Sequence, residues 1–567
     1  MAFDLVVRNG TVVDGSGGAS YRADVAVSGG RIASIGRVRE KGRQEIDAEG
    51  QVVAPGFIEV HSHMDAQIFW DPVGTSPAWH GITTTVMGNC GFTLAPCRES
   101  EMDLCLRNLE RAEDMERATL LAGIKWGWET FPEYLDVVEK LPKGINYAGF
   151  IGHSALRTYV MGQRAFDGPA TSDDMAAMKR ELESAMRAGA IGFSTSRSQH
   201  FTSDGRPVAS RVAAWDEVRE LVGVMGRLNT GLFEITPDNW GDDADRATKQ
   251  AAIRDLAVES GRPVTYITIK LPAQGNAWRE MMALTEDAAS RGGRLWTQVI
   301  ARQFQSVIGF GTRLPFDHLP TWSSIRSKPV PEQLKAMRDP ATRARLVDEA
   351  MNGPYKTDMV GPEMRPPNWD IMMVLDAPTG PYRTVADLAR EQGKSPADVL
   401  IDIGIETNLE RFFVQPIGNH DLNDVLTLLR HPHSLVGGTD SGAHVSQILD
   451  SSMPSHLLAY WVRKERAFTL EEGIRKLTFD PARAFGLSQR GLVTEGYAAD
   501  LVVFDPKTIS PGMPVAAHDL PANGRRLKQK ATGIAATVVG GEVLMRNNEP
   551  TGATPGRLLR GPLAGAR

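Results

Sequence analysis

Two histidines one residue apart, His61 and His63, close the apolar run FIEVHSH. In a β-strand residues i and i+2 face the same way, so both imidazoles would project from one strand end. Two convergent neutral imidazoles suit a borderline divalent ion such as Zn2+. Asp440, in LVGGTDSGAH, ends a second apolar run far along the chain. A carboxylate there can share the ion, take a proton from an activated water and pass it to a leaving nitrogen. Cys90, in VMGNCGF, ends a third run, and a thiolate is a strong zinc ligand. A divalent ion with one thiolate, one carboxylate and two neutral imidazoles is electrically balanced. One Zn2+ is therefore the expectation, with two ions as the alternative. Asp440-Ser441-Gly442 also mimics a serine-protease fragment, but no partner set accompanies it.

Further polar residues sit at the ends of similar runs. Glu234 (GLFEIT) has three readings: metal ligand, second acid/base carboxylate, or ion-pair partner of Lys270 or Arg302. His153 (GFIGHSALR) is placed to polarise a scissile carbonyl as a catalytic group. His444 beside Asp440, His200 after STSRSQ, and Arg302 are candidate substrate contacts. Asp65 is expected to orient His63. Trp70, Trp79, Trp126 and Trp128 either wall an apolar pocket or pack loops onto the body of the protein.

These residues need elements that bring them together. Eight β-rich runs fall at 57–63, 83–90, 145–153, 190–196, 230–236, 263–270, 294–302 and 434–440, and helical patterns follow most of them. One such pattern, TSDDMAAMKRELESAMRAG, opens on a Ser/Asp cap and closes on glycine. Eight β/α units predict an α/β fold, a closed (β/α)8 TIM barrel; no GxGxxG loop supports an open doubly wound sheet. Hairpin signals at Asn9-Gly10, Gly29-Gly30 and Gly540-Gly541 place short strands at both termini. The expected organisation is a small β-sandwich from 1–56 and 490–567, a catalytic barrel from 57–302 and 434–489, and an insertion at 303–433. The insertion is Pro-rich and emerges between strands 7 and 8, as a lid or as passive packing.

The 567 residues are 42% hydrophobic and 23% charged, which excludes a disordered or fibrous chain. A mean hydropathy of -0.24 and the lack of a long apolar run speak against a membrane protein. The net charge of -6 argues against a nucleic-acid binder. No secretory leader is visible, and three cysteines make no disulfide framework, so a cytoplasmic enzyme is expected. Cys97 and Cys105 read as apolar filler. The basic C-terminal stretch reads as solvated or as a homo-oligomer contact.

APGFIEVHSHMD, TTTVMGNCGFTLAP, GHSALRTYVMG, GAIGFSTSR and RGLVTEGYAADLVVFDP together resemble the amidohydrolase superfamily, and within it the N-acyl-D-amino-acid deacylase branch. The resemblance spans nearly the whole chain. It implies metal-dependent hydrolysis of a small-molecule C–N amide bond, and Lys270, matching a strand-6 lysine of that branch, as a partner for a substrate anion. Departures are also visible. Glu234 and Thr268 stand where the branch has metal-binding histidines, and Ala443-His444-Val445 lacks the arginine that grips the substrate carboxylate. A hydrolase of a cyclic amide, imide or carbamate is therefore the first alternative. A metal-depleted, non-catalytic scaffold is the second.

Overall fold

The computed structural model describes residues 2–355 and 361–565. Eight parallel strands form one sheet in chain order: Phe57–Glu59, Ile82–Met87, Asn146–Gly152, Gly192–Ser196, Leu232–Thr236, Val264–Thr268, Leu295–Val299 and Ser434–Val436. They are barrel strands 1 to 8 below. Strand 8 pairs with strand 7, and the ring closes just beyond the strand ends. There Ser62 bridges Ser441 in parallel, His63 N donates to Ser441 O at 2.8 Å, and Asp440 N donates to His61 O at 3.2 Å. The buried Glu59 ties the same seam, accepting from Thr85 Oγ1 at 2.6 Å and from Ser441 Oγ. The barrel thus closes through the backbone that carries the candidate ligands.

Helices cover the barrel. In Ser172–Ala188 the cap is Thr171 rather than the serine, because Thr171 Oγ1 and Asp174 form a reciprocal capping box. Gly189 ends that helix at φ 111°.

Both termini join one nine-stranded sheet. The hairpins at Gly29-Gly30 and Gly540-Gly541 form as expected, linking Tyr21–Ser28 to Arg31–Gly36 and Ile534–Val539 to Glu542–Arg546. Asn9-Gly10 is a correction: a single strand, Phe3–Val12, runs straight through it with a register shift. Asn9 at φ 59° supplies a bulge instead of a turn. A Cβ on Gly10 would meet Val53 Cγ2 at 2.4 Å, so the glycine admits the next strand.

The stretch between strands 7 and 8 folds around its own core of Ile308, Phe316, Trp322, Leu346, Leu400 and Phe413. Its three antiparallel strands run in the order Phe304–Gly309, Phe412–Gly418, Met373–Leu375.

Candidate metal centre

His61 and His63 follow strand 1 with rings 5.6 Å apart, as their spacing predicts. Strand 2 leads through Gly88 into Cys90. Gly88 sits at φ 81°, where a Cβ would press on Phe150 O at 2.7 Å, and Cys90 itself turns to φ 57°. Asp65 Oδ2 accepts from Gly88 N at 2.9 Å. Asp65 therefore fixes the turn that carries Cys90 rather than orienting His63. The loop beyond strand 8 carries Asp440 at φ 50° and then Gly442, whose absent side chain would lie 2.5 Å from His63 O. Left-handed backbone is rare for residues with a Cβ and concentrates at functional sites; here Cys90, Asp440 and His444 (φ 48°) all adopt it.

The result is one buried cluster. One donor atom each of His61, His63 and Cys90 lie within 4.8 Å of one another. Cys90 Sγ is 3.3 Å from His61 Nε2, and Asp440 Oδ1 is 3.3 Å from His61 Nε2 and 3.7 Å from His63 Nε2. His61 Nδ1 faces Gln298 Oε1 at 2.7 Å. With Nδ1 as the donor, the lone pair of Nε2 is left for the cluster.

The electrostatics ask for a cation. Burial pushes the Asp440 carboxyl and the Cys90 thiol up, and pushes Glu234 up to about 8. Burial lowers His61 to about 4, so its imidazole is neutral. Both ring nitrogens of His63 and Glu234 Oε1 are buried without a hydrogen-bond partner. Orphaned buried polar atoms are costly, and a divalent ion would satisfy them. The donor set, two imidazoles, a thiol and a carboxylate, fits a zinc-type ion.

Glu234 Oε2 accepts from Cys90 N at 2.8 Å, and Thr236 donates its hydroxyl to Cys90 Sγ at 3.1 Å. Lys270 is not the ion-pair partner of Glu234: it pairs with Asp424, which also accepts from Arg279. Asn419 holds the Lys270 backbone on both sides, through Lys270 N (2.8 Å) and Lys270 O (2.9 Å). Thr268 accepts from Thr297 Oγ1 at 2.7 Å.

His153 is a second correction. It begins the helix His153–Met161, and its nitrogens meet Thr195 Oγ1 and Glu217 Oε1, each at 2.8 Å. Glu217 is in turn held by Arg157 at 2.6 Å. His153 is a satisfied structural residue. His200 Nδ1 bonds Ser196 Oγ at 2.9 Å, and its ring packs 5.5 Å from Phe92. Arg302 donates to Ser452 Oγ at 3.2 Å and lines a cavity of about 240 Å³ with Tyr382, His456 and Leu449. Trp126 packs tilted against Trp128 with ring centroids 4.8 Å apart, and Trp128 Nε1 donates to Leu94 O, so they pack loops.

One residue of the cluster escaped the sequence. Glu113 reaches it from the loop after strand 2, with Oε2 3.3 Å from His63 Nε2 and 3.5 Å from His444 Nε2. Its setting, RAEDMER, reads as a solvated charged turn, and no spacing signal marks it.

The model of the amidohydrolase family matches residues 44–545. The chain belongs to the amidohydrolase family. It is 30% identical to a D-aminoacylase of Alcaligenes xylosoxydans xylosoxydans over 571 residues, 98% of this chain and 97% of that one. A solved D-aminoacylase described with a binuclear metal center superposes with a TM-score of 0.67 at 25% identity, covering 98% of this chain and 100% of that one. An N-acyl-D-glutamate deacylase of Bordetella bronchiseptica, solved with zinc and a phosphonate inhibitor, shares the fold with a TM-score of 0.66 at 24% identity, covering 99% and 100%. As an amidohydrolase the chain is a metal-dependent hydrolase of carbon–nitrogen bonds other than peptide bonds. Its eight-stranded barrel and terminal β domain are those of its structural neighbours. Among the described residues no helix is long and apolar enough to cross a membrane.

Proposed function

We propose that this amidohydrolase removes the acyl group from a small N-acyl amino acid, with His61, His63, Cys90 and Asp440 holding zinc. The observation that carries this reading is the convergence of three donors within 4.8 Å, with Asp440 Oδ1 3.3 Å from His61. The ion would supply Lewis acidity, making water a nucleophile near neutral pH and polarising the amide carbonyl. Asp440 takes the proton of the attacking water on a carboxylate oxygen and delivers it to the leaving nitrogen, so that acid and amine leave neutralised. Gln298 fixes the His61 ring. Thr236 and the Glu234–Cys90 bond hold Cys90 in its strained turn. His444 and His200 border the centre and are the substrate contacts nearest the chemistry, and Arg302 contacts the substrate from the 240 Å³ cavity. Three free, buried cysteines support a reducing, cytoplasmic setting.

A second reading, hydrolysis of a cyclic amide, imide or carbamate, is favoured by one observation: Lys270 is engaged by Asp424 and so does not offer its charge to a substrate carboxylate. Paired N-acyl-D- and N-acyl-L-amino acids, tested beside neutral cyclic amides, separate the two. Cleavage of the acyl amino acids supports deacylation; cleavage of the cyclic amides alone supports the second reading.

A further inference from the structure

Glu113 has no role in the chemistry described so far, yet its side chain is 3% exposed and stands against His63. Among the described residues its ion-pair contacts are His63 and His444, and neither lysine nor arginine compensates it. The approach to His63 is not a hydrogen bond, since neither His63 nitrogen has such a partner. Two donors bound to one ion at about 2.1 Å and a tetrahedral angle stand about 3.4 Å apart. The edges His61 Nε2–Asp440 Oδ1 and His61 Nε2–Cys90 Sγ both measure 3.3 Å. The edge His63 Nε2–Glu113 Oε2 measures the same 3.3 Å.

The backbone around Glu113 is held for the purpose. His444 N donates to Glu113 O at 2.8 Å, tying the strand-2 loop to the strand-8 loop. The next residue, Asp114, adopts φ 48°. It accepts from Ser446 Oγ at 3.2 Å and from Gln447 Nε2 at 2.9 Å, and Arg313 of the insertion reaches it at 3.7 Å. Two separate segments, the strand-8 loop and the insertion, thus hold the backbone of one buried carboxyl residue beside an imidazole that lacks a hydrogen-bond partner.

We propose that Glu113 is a ligand of the metal centre, sharing an ion with His63 and Asp440. The assignment rests on the hydrolase reading of the same centre. It makes the insertion part of the metal site, through Arg313 and Asp114, whether or not it also covers substrate.

The test is metal binding by the full chain. Wild type, Glu113→Gln and Glu113→Asp are stripped with a chelator and titrated with Zn2+ against a competing indicator. Each is also loaded with Co2+ for its visible spectrum and melted with and without zinc. Glu113→Gln should bind zinc at least about tenfold more weakly, with an altered cobalt spectrum. Glu113→Asp should fall between. Metal-free Glu113→Gln should melt no lower than metal-free wild type, because it keeps the shape and replaces a buried carboxyl that neither lysine nor arginine compensates. Unchanged zinc affinity and spectrum would overturn the assignment, as would an equal loss of melting temperature with and without metal. Wild type that binds zinc beside an unaffected Glu113→Gln sinks only the Glu113 assignment; wild type that binds no metal sinks the hydrolase reading itself.

Discussion

Gln298 Oε1 lies 2.7 Å from His61 Nδ1, inside the barrel and on the far side of the ring from Cys90. Gln298 Nε2 donates to Thr265 Oγ1 at 3.2 Å, which fixes the amide orientation and makes Oε1 the acceptor. His61 must then carry its proton on Nδ1, and strand 7 sets the tautomer of a ligand on strand 1.

Gln298→Leu removes that acceptor without touching the cluster. Zinc affinity should fall about 10- to 100-fold, with little change in the far-ultraviolet circular dichroism. Equilibrium titration against a chelator reads the effect; unchanged affinity would show that the ring is held by packing alone.

Cys90 tests the donor set. Cobalt-loaded protein should show a sulfur-to-metal charge-transfer band that Cys90→Ser lacks. Thr236→Val, which removes the hydroxyl 3.1 Å from Cys90 Sγ, should keep the band but shift it. A band that survives in Cys90→Ser would remove Cys90 from the ligands.

Much of this was legible in the sequence, for identifiable reasons. His61, His63, Cys90 and Asp440 sit at strand ends, where the two-residue period and the closed ring dictate convergence. His153 also follows a strand, but it begins a helix, and its ring turns outward to Glu217 on the helix Trp215–Leu228. Lys270 lies two residues beyond Thr268, yet its ammonium pairs with Asp424, a contact 154 residues away in the chain that no local pattern announces. Glu113 was invisible because it is a loop residue placed by long-range bonds to residues 444–447 and to Arg313. Asn9-Gly10 shows the same limit locally: a residue pair that tolerates positive φ serves a bulge as readily as a turn.

The His153–Glu217–Arg157 triad makes a stability prediction. Burial opposes the ionisation of Glu217, but its hydrogen bond to His153 and the Arg157 guanidinium outweigh that and hold it down to about 2 from 4.5. A depressed carboxyl stabilises the fold above its unfolded value and loses that contribution as pH falls through the folded one. Glu217→Gln should therefore cost about 3–5 kcal/mol at pH 7, since it leaves Arg157 buried and unpaired. The gap from wild type should shrink between pH 4.5 and about 2. Denaturant melts at a series of pH values check this; a gap independent of pH would reject the ion pair as its source.

Lys270 gives a contrast. If Asp424 holds it, Lys270→Ala should change kcat/KM no more than about twofold, as for substitutions away from a site. A rise in KM confined to substrates with a carboxylate would show that the lysine swings to the substrate.

The central claim is that the cluster of His61, His63, Cys90 and Asp440 holds the ion that drives amide hydrolysis. The direct measurement is the rate of amine release from an N-acyl-D-amino acid by wild type as purified, after exhaustive chelation and after zinc is returned, beside His61→Ala. The account predicts activity that disappears with the metal, returns with zinc, and is absent from His61→Ala throughout. Full activity in the metal-free protein, or in His61→Ala, would contradict it.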